Sequence, residues 1–391
     1  MDGKKKQAAK WIYFLYIFVM VLLCTLSVVL PHGQNDFNRG VTIYYPAANS
    51  EMGQDFTVNG SVYARDGITS AEMVFLPSGE TFPIARETIT YHGKTLLTLS
   101  TFKNEVALSG EGPTDMQVNI TTETGETFTL DALAFDVKQG ASAVVFKMFS
   151  PMHLIPLGVL VAVFFLMLWL YRKKPSEKTR VTLFIIISLL VMGCDVSLKS
   201  WMLSKGLLRA SYDLILHMCD ISGFLLPVLL FMKDGKSRVA LFNLMFIWGL
   251  GGAAMALLTP EMGGYAFPSL YYFNFFIKHG MIVIGVLMAI FVDGLRPSLK
   301  KMPTAIGLST IMVAAIYGLD RLAVLLPPFE PGNYMFLSYP PTGGSLIDLL
   351  VKIFGPSPYY IIGLIIVAVI VYTALWVPFA VGGAVKHKKK S

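Results

Sequence analysis

Residues 154–171 read LIPLGVLVAVFFLMLWLY, and Arg172-Lys173-Lys174 follow at once. A helix rises about 1.5 Å per residue, so an uncharged run of this length approaches the roughly 30 Å hydrocarbon core of a bilayer. The basic cluster marks where the chain leaves it. Working outward, seven further runs have the same character: Trp11–Leu30, Val181–Leu203, Asp213–Met232, Val239–Leu258, Leu270–Val292, Thr304–Leu326 and Tyr359–Val381. Each is ended by charge, Pro or Gly. The whole chain of 391 residues is 54% hydrophobic and only 15% charged, against about 25% charged in soluble domains. The sequence therefore predicts a polytopic α-helical membrane protein of about eight spans.

Positive charge sets the expected orientation. With the N-terminus inside, the cytoplasmic segments hold Lys4–Lys10, Arg172–Arg180, Lys233–Arg238, Arg296–Lys301 and Lys386–Lys390. The short outer loops hold only Lys205, Arg209 and Lys352. The contrast, 19 Lys and Arg against 3, predicts both termini in the cytoplasm. The first run is too long for the apolar part of a signal peptide, and no A-x-A-like cleavage site follows it, so it reads as an uncleaved anchor. The net charge of +7 is spent on these loop clusters, which argues against a nucleic-acid partner.

Three domains follow: 1–35, a basic tail and first helix; 36–148, outside the membrane; and 149–391, seven helices ending in a basic tail. The middle segment alternates in "FTVNGSVYA" and "MQVNITTETGETFTL", the period of a half-buried strand. Strands are expected at Val41–Tyr45, Asp55–Ala64, Ala71–Leu76, Thr95–Ser100, Glu105–Ala107, Asp115–Thr121 and Thr127–Ala134. Turns are expected at Asn59-Gly60, Ser78-Gly79, Gly110-Glu111-Gly112 and Thr124-Gly125. About seven short strands in about 100 residues suggest an extracytoplasmic, all-β, immunoglobulin-like sandwich between spans one and two. Asn59-Gly-Ser and Asn119-Ile-Thr match the glycosylation triplet, a pattern that arises readily by chance. Nothing in the segment looks catalytic, so a spacer or docking role is its expected use. The outer loop from Pro327 to Pro358 is long enough to be a lid or a binding segment.

The three cysteines, Cys24, Cys194 and Cys219, all lie in apolar runs. That excludes a disulfide framework, and no Cys/His spacing suits zinc. No nucleotide-binding glycine pattern occurs in a suitable context, so no metal or cofactor is expected.

Ionisable groups inside spans are costly and mark candidate sites. Asp195 and Lys199 in span three, His217, Cys219 and Asp220 in span four, Asn274, Lys278 and His279 in span six, and Asp320 and Arg321 in span seven all fall towards the outer ends. At about 1.5 Å per residue, Cys219 lies roughly 9 Å below the start of its span and His279 roughly 14 Å. The inner halves of these spans are almost purely apolar, which suggests a polar cavity opening outward. A thiol attacks as thiolate, and an imidazole can take its proton. His217 is two residues from Cys219 and diverges from it by about 200°, so His279 is the better partner. Asp220 shares a face with His217 and can orient it; Asp195 and Lys199, four apart, can pair. Arg321 can neutralise a neighbour or bind a lipid phosphate. A lone cysteine in a span is usually packing, as expected for Cys24 and Cys194. His153 and His387 read as bland, and Tyr265, Phe267, Tyr271 and Tyr272 as an interfacial belt.

Three stretches carry a resemblance: "LILHMCDISGFLLPVLLF" at 214–231, "YYFNFFIKHGMIVIGVLMAIFVDGLRPSL" at 271–299 and "PGNYMFLSYPPTGGSLIDLLVKIFGPSPYYII" at 331–362. Over roughly residues 150–385 the chain resembles the YwaF-like integral membrane proteins of bacteria, which implies a bacterial cytoplasmic membrane location. That family is similar to a mammalian transmembrane acyltransferase that remodels ether phospholipids. The resemblance implies Cys219 and His279 as a catalytic pair. The fold also resembles that of membrane hydrolases of fatty-acid esters, which carry threonine at the position of Cys219.

The leading expectation is thus a lipid acyltransferase or acyl-ester hydrolase acting on membrane phospholipids from the outer leaflet through a thioester. His217 and Asn274 would steady the oxyanion, and Asn333 and Tyr334 would help close the site. A second expectation is a non-enzymatic envelope scaffold or sensor whose β domain binds a cell-wall or protein partner. A small transporter comes third, because the polar residues stop halfway through the membrane and no inverted repeat is visible.

Overall fold

The computed structural model describes residues 3–29, 35–84, 86–91, 97–139, 146–262, 264–325, 332–341 and 346–388. Among the described residues, seven helices are long and apolar enough to cross a membrane: Lys10–Val29 within α1 (Gly3–Val29), α2 (Pro151–Lys173), α3 (Glu177–Ser204), the run Lys236–Leu258, α7 (Leu270–Phe291), the run Leu299–Ala323, and Tyr360–Val381 within α10 (Tyr360–Lys388). The run Lys236–Leu258 joins α5 (Lys236–Met245) to α6 (Ala253–Leu258) through a π-helical turn at Phe246–Gly252, and α8 (Met302–Ala323) fills most of Leu299–Ala323. Local chemistry fixes several starts. Ser176 accepts a hydrogen bond from the Thr179 N–H and Ser269 one from the Tyr272 N–H, as N-caps do.

The eighth expected span is shorter than the sequence predicts. Helix α4 covers Met218–Phe231, 14 residues, or roughly 21 Å. Residues 213–217 are not helical because neighbours hold their backbone in another shape. The Tyr334 hydroxyl accepts from the Leu214 N–H at 3.2 Å and donates to the Ala210 carbonyl at 2.5 Å. The Asp213 carbonyl accepts from Lys199 Nζ at 2.6 Å. Irregular backbone at membrane depth is tolerated where protein groups satisfy it in this way.

Between α1 and α2 lie two sheets around a shared apolar core that includes Phe56, Val58, Met73, Phe75, Val118 and Phe135. One sheet runs β1 (Arg39–Tyr45), β3 (Asp55–Ala64), β7 (Leu97–Ala107), β6 (Arg86–Tyr91), all antiparallel. The other runs β2 (Glu51–Met52), β9 (Thr127–Val137), β8 (Gly112–Thr121), β4 (Ser70–Leu76), β5 (Glu80–Pro83), with β2 parallel to β9. Two expected strands, Thr95–Ser100 and Glu105–Ala107, are one strand, β7, whose predicted start at Thr95 and Leu96 lies outside the described residues.

The Asn59-Gly60 turn is a correction. Both residues sit inside β3, paired to Lys103 and Phe102. The glycine answers a packing need: a Cβ on Gly60 would lie 2.6 Å from the Phe102 ring and 2.7 Å from the Thr42 carbonyl. Asn59 is therefore buried rather than displayed in a turn. The turns at Gly79 and Gly125 are present, with φ of 74° and 87°.

Along β3, Phe56, Val58 and Val62 face the shared core, so Thr57, Asn59, Ser61 and Tyr63 face the other way. That second face is also buried. It rests on the helical bundle: Tyr63, Leu97 and Leu99 pack with Val324 and Tyr339. Arg65 Nη2 donates to the Val324 carbonyl at 2.6 Å and the Tyr265 hydroxyl to the Tyr44 carbonyl at 3.3 Å. Gly264, at φ 104°, lets the Tyr45 ring approach to where a Cβ would be 2.6 Å away. The β domain is thus seated on the bundle. Tyr265 and Tyr271, expected in an interfacial belt, stack on each other under it at 4.8 Å, and Tyr272 is buried with its hydroxyl on the Met152 carbonyl.

The long loop after α8 is partly ordered. Residues 326–331 and 342–345 lie outside the described residues, but Tyr334–Phe336 form a 3-10 turn and Leu346–Phe354 a short amphipathic helix, α9. At the far end of the bundle Asp293 binds both Arg180 (Nε–Oδ1, 2.5 Å) and Arg238, so two cations read as topology signals, each in the first turns of its helix, are also structural.

Candidate functional site

Three helices bring charge together, and a fourth adds a hydroxyl. Lys278 on α7 forms ion pairs with Asp195 on α3 and Asp220 on α4. Lys199 on α3 lies 3.9 Å from Asp220 Oδ2, and the Tyr16 hydroxyl on α1 donates to Asp195 Oδ2 at 2.7 Å. Two carboxylates and two ammonium groups balance to zero net charge, which is how ionised groups survive away from water. Asp195 and Lys199 do not pair with each other as the four-residue spacing suggested. Each has turned to another helix, because Lys278 offers Asp195 a direct contact. Gly223 makes room for this: its missing Cβ would sit 3.0 Å from Val191, 3.5 Å from Asp195 and 3.6 Å from Lys278.

Tyr16 was not singled out in the sequence. The signal was present as Tyr13, Tyr16, Met20 and Leu23, a three- and four-residue stripe in the first span. Tyr16, Met20 and Leu23 are buried against Met192 and Leu208, and Tyr13 donates to the Phe224 carbonyl at 2.9 Å. The first helix is thus a packed member of the bundle.

His217 is fully engaged. A carbonyl only accepts, so Nε2 carries the proton given to the Tyr212 carbonyl at 2.9 Å, and Nδ1 accepts from the Met335 N–H at 3.2 Å. Its ring also packs on Tyr212, Tyr334 and Phe336. Asp220 does not orient it, as expected from the shared face, because Lys278 holds that carboxylate. His217 instead staples the start of α4 to the loop after α8. We expect His217→Ala to lower stability by about 2 kcal/mol, roughly 1 for each hydrogen bond; a thermal melt of the purified protein checks this. Asn333 works inside the same loop, accepting from the Ser338 and Tyr339 N–H groups at 3.1 Å each. Asp320 Oδ1 accepts from the Tyr334 N–H at 3.1 Å, and Arg321 donates to Ser357 Oγ at 2.9 Å. Asn274 donates weakly to Ser197 Oγ at 3.4 Å.

His279 differs from His217. Its Nδ1 donates to the Phe275 carbonyl at 2.7 Å, which leaves Nε2 as the acceptor nitrogen, with no protein partner among the described residues. Cys219 is likewise a free thiol. No hydrogen bond joins the two, but neighbouring contacts show which way each faces. Met218 meets the π turn, its sulfur 2.8 Å from where a Gly252 Cβ would be, and Asp220 meets Lys278. Residues on a helix step by 100°, so Cys219 lies about 100° from each; it shares its face with Gly223 and Leu226, and Leu226 packs on Gly285 of α7. On α7, Ile282 and Val286 pack on Gly249 of the π turn, and His279 continues that stripe one turn towards the β domain. Cys219 thus faces α7, and His279 lies on the side of α7 that meets the π turn. Both are half-buried. Single π turns often accompany functional sites, and this one supplies the small residues Gly249, Gly251 and Gly252. His153, read as bland, is a fully buried structural link whose Nε2 donates to the Leu257 carbonyl at 2.7 Å.

No group of three or more His, Cys, Asp or Glu positioned to hold a metal occurs among the described residues. In comparisons with known proteins, no curated protein matches the chain. The TMEM164 family profile matches residues 148–376, more than half of the 391-residue chain, and leaves α1 and the β domain outside the match. It covers Cys219, His279 and all three helices that carry the buried charges, and on that match the chain belongs to the TMEM164 family.

Proposed function

We propose that the chain transfers or hydrolyses acyl groups of membrane phospholipids, with Cys219 as nucleophile and His279 as base. The observation that carries this reading is the fixed His279 tautomer: Nδ1 is tied to the Phe275 carbonyl, so Nε2 is the proton acceptor, on the helix that the Cys219 side of α4 faces. Catalytic hydrogen bonds in a free enzyme are often long and form only around substrate. In the proposed sequence Nε2 takes the thiol proton as sulfur attacks the ester carbonyl. The tetrahedral intermediate collapses to a thioester, and the departing alcohol takes the proton back. An acceptor hydroxyl, or water, then repeats the exchange and frees the thiol. His217 has no N–H left to steady the oxyanion. Asn274 keeps an amide that bonds only weakly to Ser197 and Leu270, and it is our candidate for that role.

The remaining expectations belong to the same proposal. Helix α4 with its irregular entry counts as an eighth span, both termini lie in the cytoplasm of a bacterial cell, and the β domain is an extracytoplasmic immunoglobulin-like sandwich. The basic loop clusters support that orientation. The buried polar face of the β domain supports a role over the mouth of the bundle, more than a role as a free module for a cell-wall partner. Intact-protein mass spectrometry after incubation with mixed phospholipids tests the chemistry. A hydroxylamine-sensitive acyl adduct is expected on the wild type; absence of an adduct together with unchanged lipids would sink the proposal.

A further inference from the structure

Between the β domain and the bundle lies a cavity of about 120 Å³, walled on one side by Asn59 and Thr101 and on the other by Trp201, Tyr212 and Tyr271. One water needs roughly 10–15 Å³ of such space, so there is room for on the order of ten water-sized groups. That is about the bulk of one sugar ring and too little for an acyl chain.

The charged groups of the lining do not call for a charged ligand. Asp213 Oδ2 accepts from the Arg209 backbone N–H at 2.9 Å and lies 3.4 Å from Arg209 Nε. The Arg209 guanidinium also lies over the rings of Tyr44 (4.2 Å) and Tyr212 (4.9 Å), and Glu261 has its own interactions within the protein. A charged ligand would have to break one of these contacts or lie buried without a counterion, and both are costly.

The idle groups are neutral. Asn59 is 3% exposed and lines the cavity, and its Oδ1 has no hydrogen-bond partner. Its side-chain NH₂ makes no hydrogen bond among the described residues either. A buried amide left unpaired at both ends is a rare and costly feature. Thr101 is its diagonal neighbour on the same sheet face, because Asn59 pairs with Lys103, two residues further along β7. The side-chain hydroxyls of Thr101, Tyr212 and Tyr271 also make no hydrogen bond among the described residues. An ammonium group only donates and a carboxylate only accepts, whereas a hydroxyl does both. Several hydroxyls on one carbon frame therefore match this set. The rest of the wall is aromatic: Tyr265 stacks on Tyr271 at 4.8 Å and meets Trp201 edge-on at 5.8 Å. Such side chains present an apolar body with a polar tip, which suits a ligand with both C–H faces and hydroxyls.

We propose that this cavity binds an uncharged, hydroxyl-rich ligand of the sugar or polyol class, whose hydroxyls exchange hydrogen bonds with the Asn59 amide and the Thr101 hydroxyl while its C–H face lies against the aromatic wall. The ligand can arrive free in solution or as the glycosyl headgroup of a membrane lipid. Because the two walls come from different domains, the bound ligand would hold the β domain to the bundle. The inference does not depend on Cys219, and Cys219→Ala should bind the ligand as the wild type does.

The test uses the full-length protein in nanodiscs of phosphatidylcholine, a lipid without a headgroup hydroxyl, and calorimetric titration with glucose and glycerol. Ethanolamine and acetate serve as charged controls. Native mass spectrometry from nanodiscs that also contain glucosyl diacylglycerol covers the lipid source. Binding of free glucose identifies a soluble ligand, and selective retention of the glucosyl lipid without binding of free sugar identifies a headgroup; either supports the proposal. Asn59→Leu, which removes the unpaired amide, should keep the wild-type melting temperature or raise it, yet bind roughly tenfold more weakly, the size of one or two neutral hydrogen bonds. Thr101→Val, which keeps the shape and loses the hydroxyl, should weaken binding severalfold. Equal affinity in the wild type and both variants, ethanolamine or acetate bound as tightly as glucose, or no binding from either source would overturn the assignment, the last leaving water as the occupant.

Discussion

Replacing Cys219 with alanine is expected to abolish acyl transfer and the acyl adduct while leaving the protein folded. Loss of a nucleophile that acts as a unit with its base costs roughly 10⁴ to 10⁶ in turnover. The structural effect should be small. The thiol makes no hydrogen bond among the described residues and is only half-buried, so the change in stability should stay below about 1 kcal/mol. His279→Ala should cost less activity, roughly 10² to 10⁴ for a general base. Turnover of a fluorescent phospholipid, read beside a melting curve for each variant, separates chemistry from folding. Wild-type turnover in Cys219→Ala would remove the thioester mechanism whatever happens to His279.

Lys278→Met is expected to have the largest effect on stability. The ammonium group holds Asp195 and Asp220 at once. Without it the cluster keeps two carboxylates and only Lys199, which is 3.9 Å from Asp220 Oδ2 and bonded to the Asp213 carbonyl. Breaking a buried ion pair by removing one partner costs about 3–5 kcal/mol, because the charge left behind is uncompensated. The double variant Lys278→Met with Asp195→Asn restores neutrality and should recover a substantial part of the loss. Thermal unfolding in a mild detergent measures both. A single variant as stable as the wild type would mean that the cluster is hydrated and carries no such charge balance.

Much of this arrangement was legible in the sequence, and the misreadings have physical causes. Hydropathy located the helices because a bilayer tolerates little else, and depth arithmetic placed the charged residues at one end of the bundle. Pairing was not legible. The spacing of Asp195 and Lys199 permits a bond along α3, but helix packing decides between that bond and one across to Lys278. Residues 213–217 have the composition of a helix and are held out of one by Tyr334 and Lys199, groups distant in sequence. Gly60 reads as a turn residue by local rules. Only the approach of the Phe102 ring, 42 residues later in the chain, explains its place inside β3. The seam between β domain and bundle was invisible for a related reason: Asn59 looked like a turn or a glycosylation acceptor, and Tyr265 and Tyr271 like a belt, until docking buried that face of β3 over the stacked tyrosines.

The face of β3 that rests on the bundle also bears on how the chain is made. Synthesis runs from the N-terminus, so the whole β domain exists before α2 emerges. Until the later helices arrive, Thr57, Asn59, Ser61 and Thr101 face water. Their hydroxyl and amide groups make that waiting state soluble, where a row of valines and leucines would invite misassembly. Tyr63, Leu97 and Leu99 form the small apolar edge that is covered last, by Val324 and Tyr339. The polarity of this surface thus records the order in which its two sides come into existence.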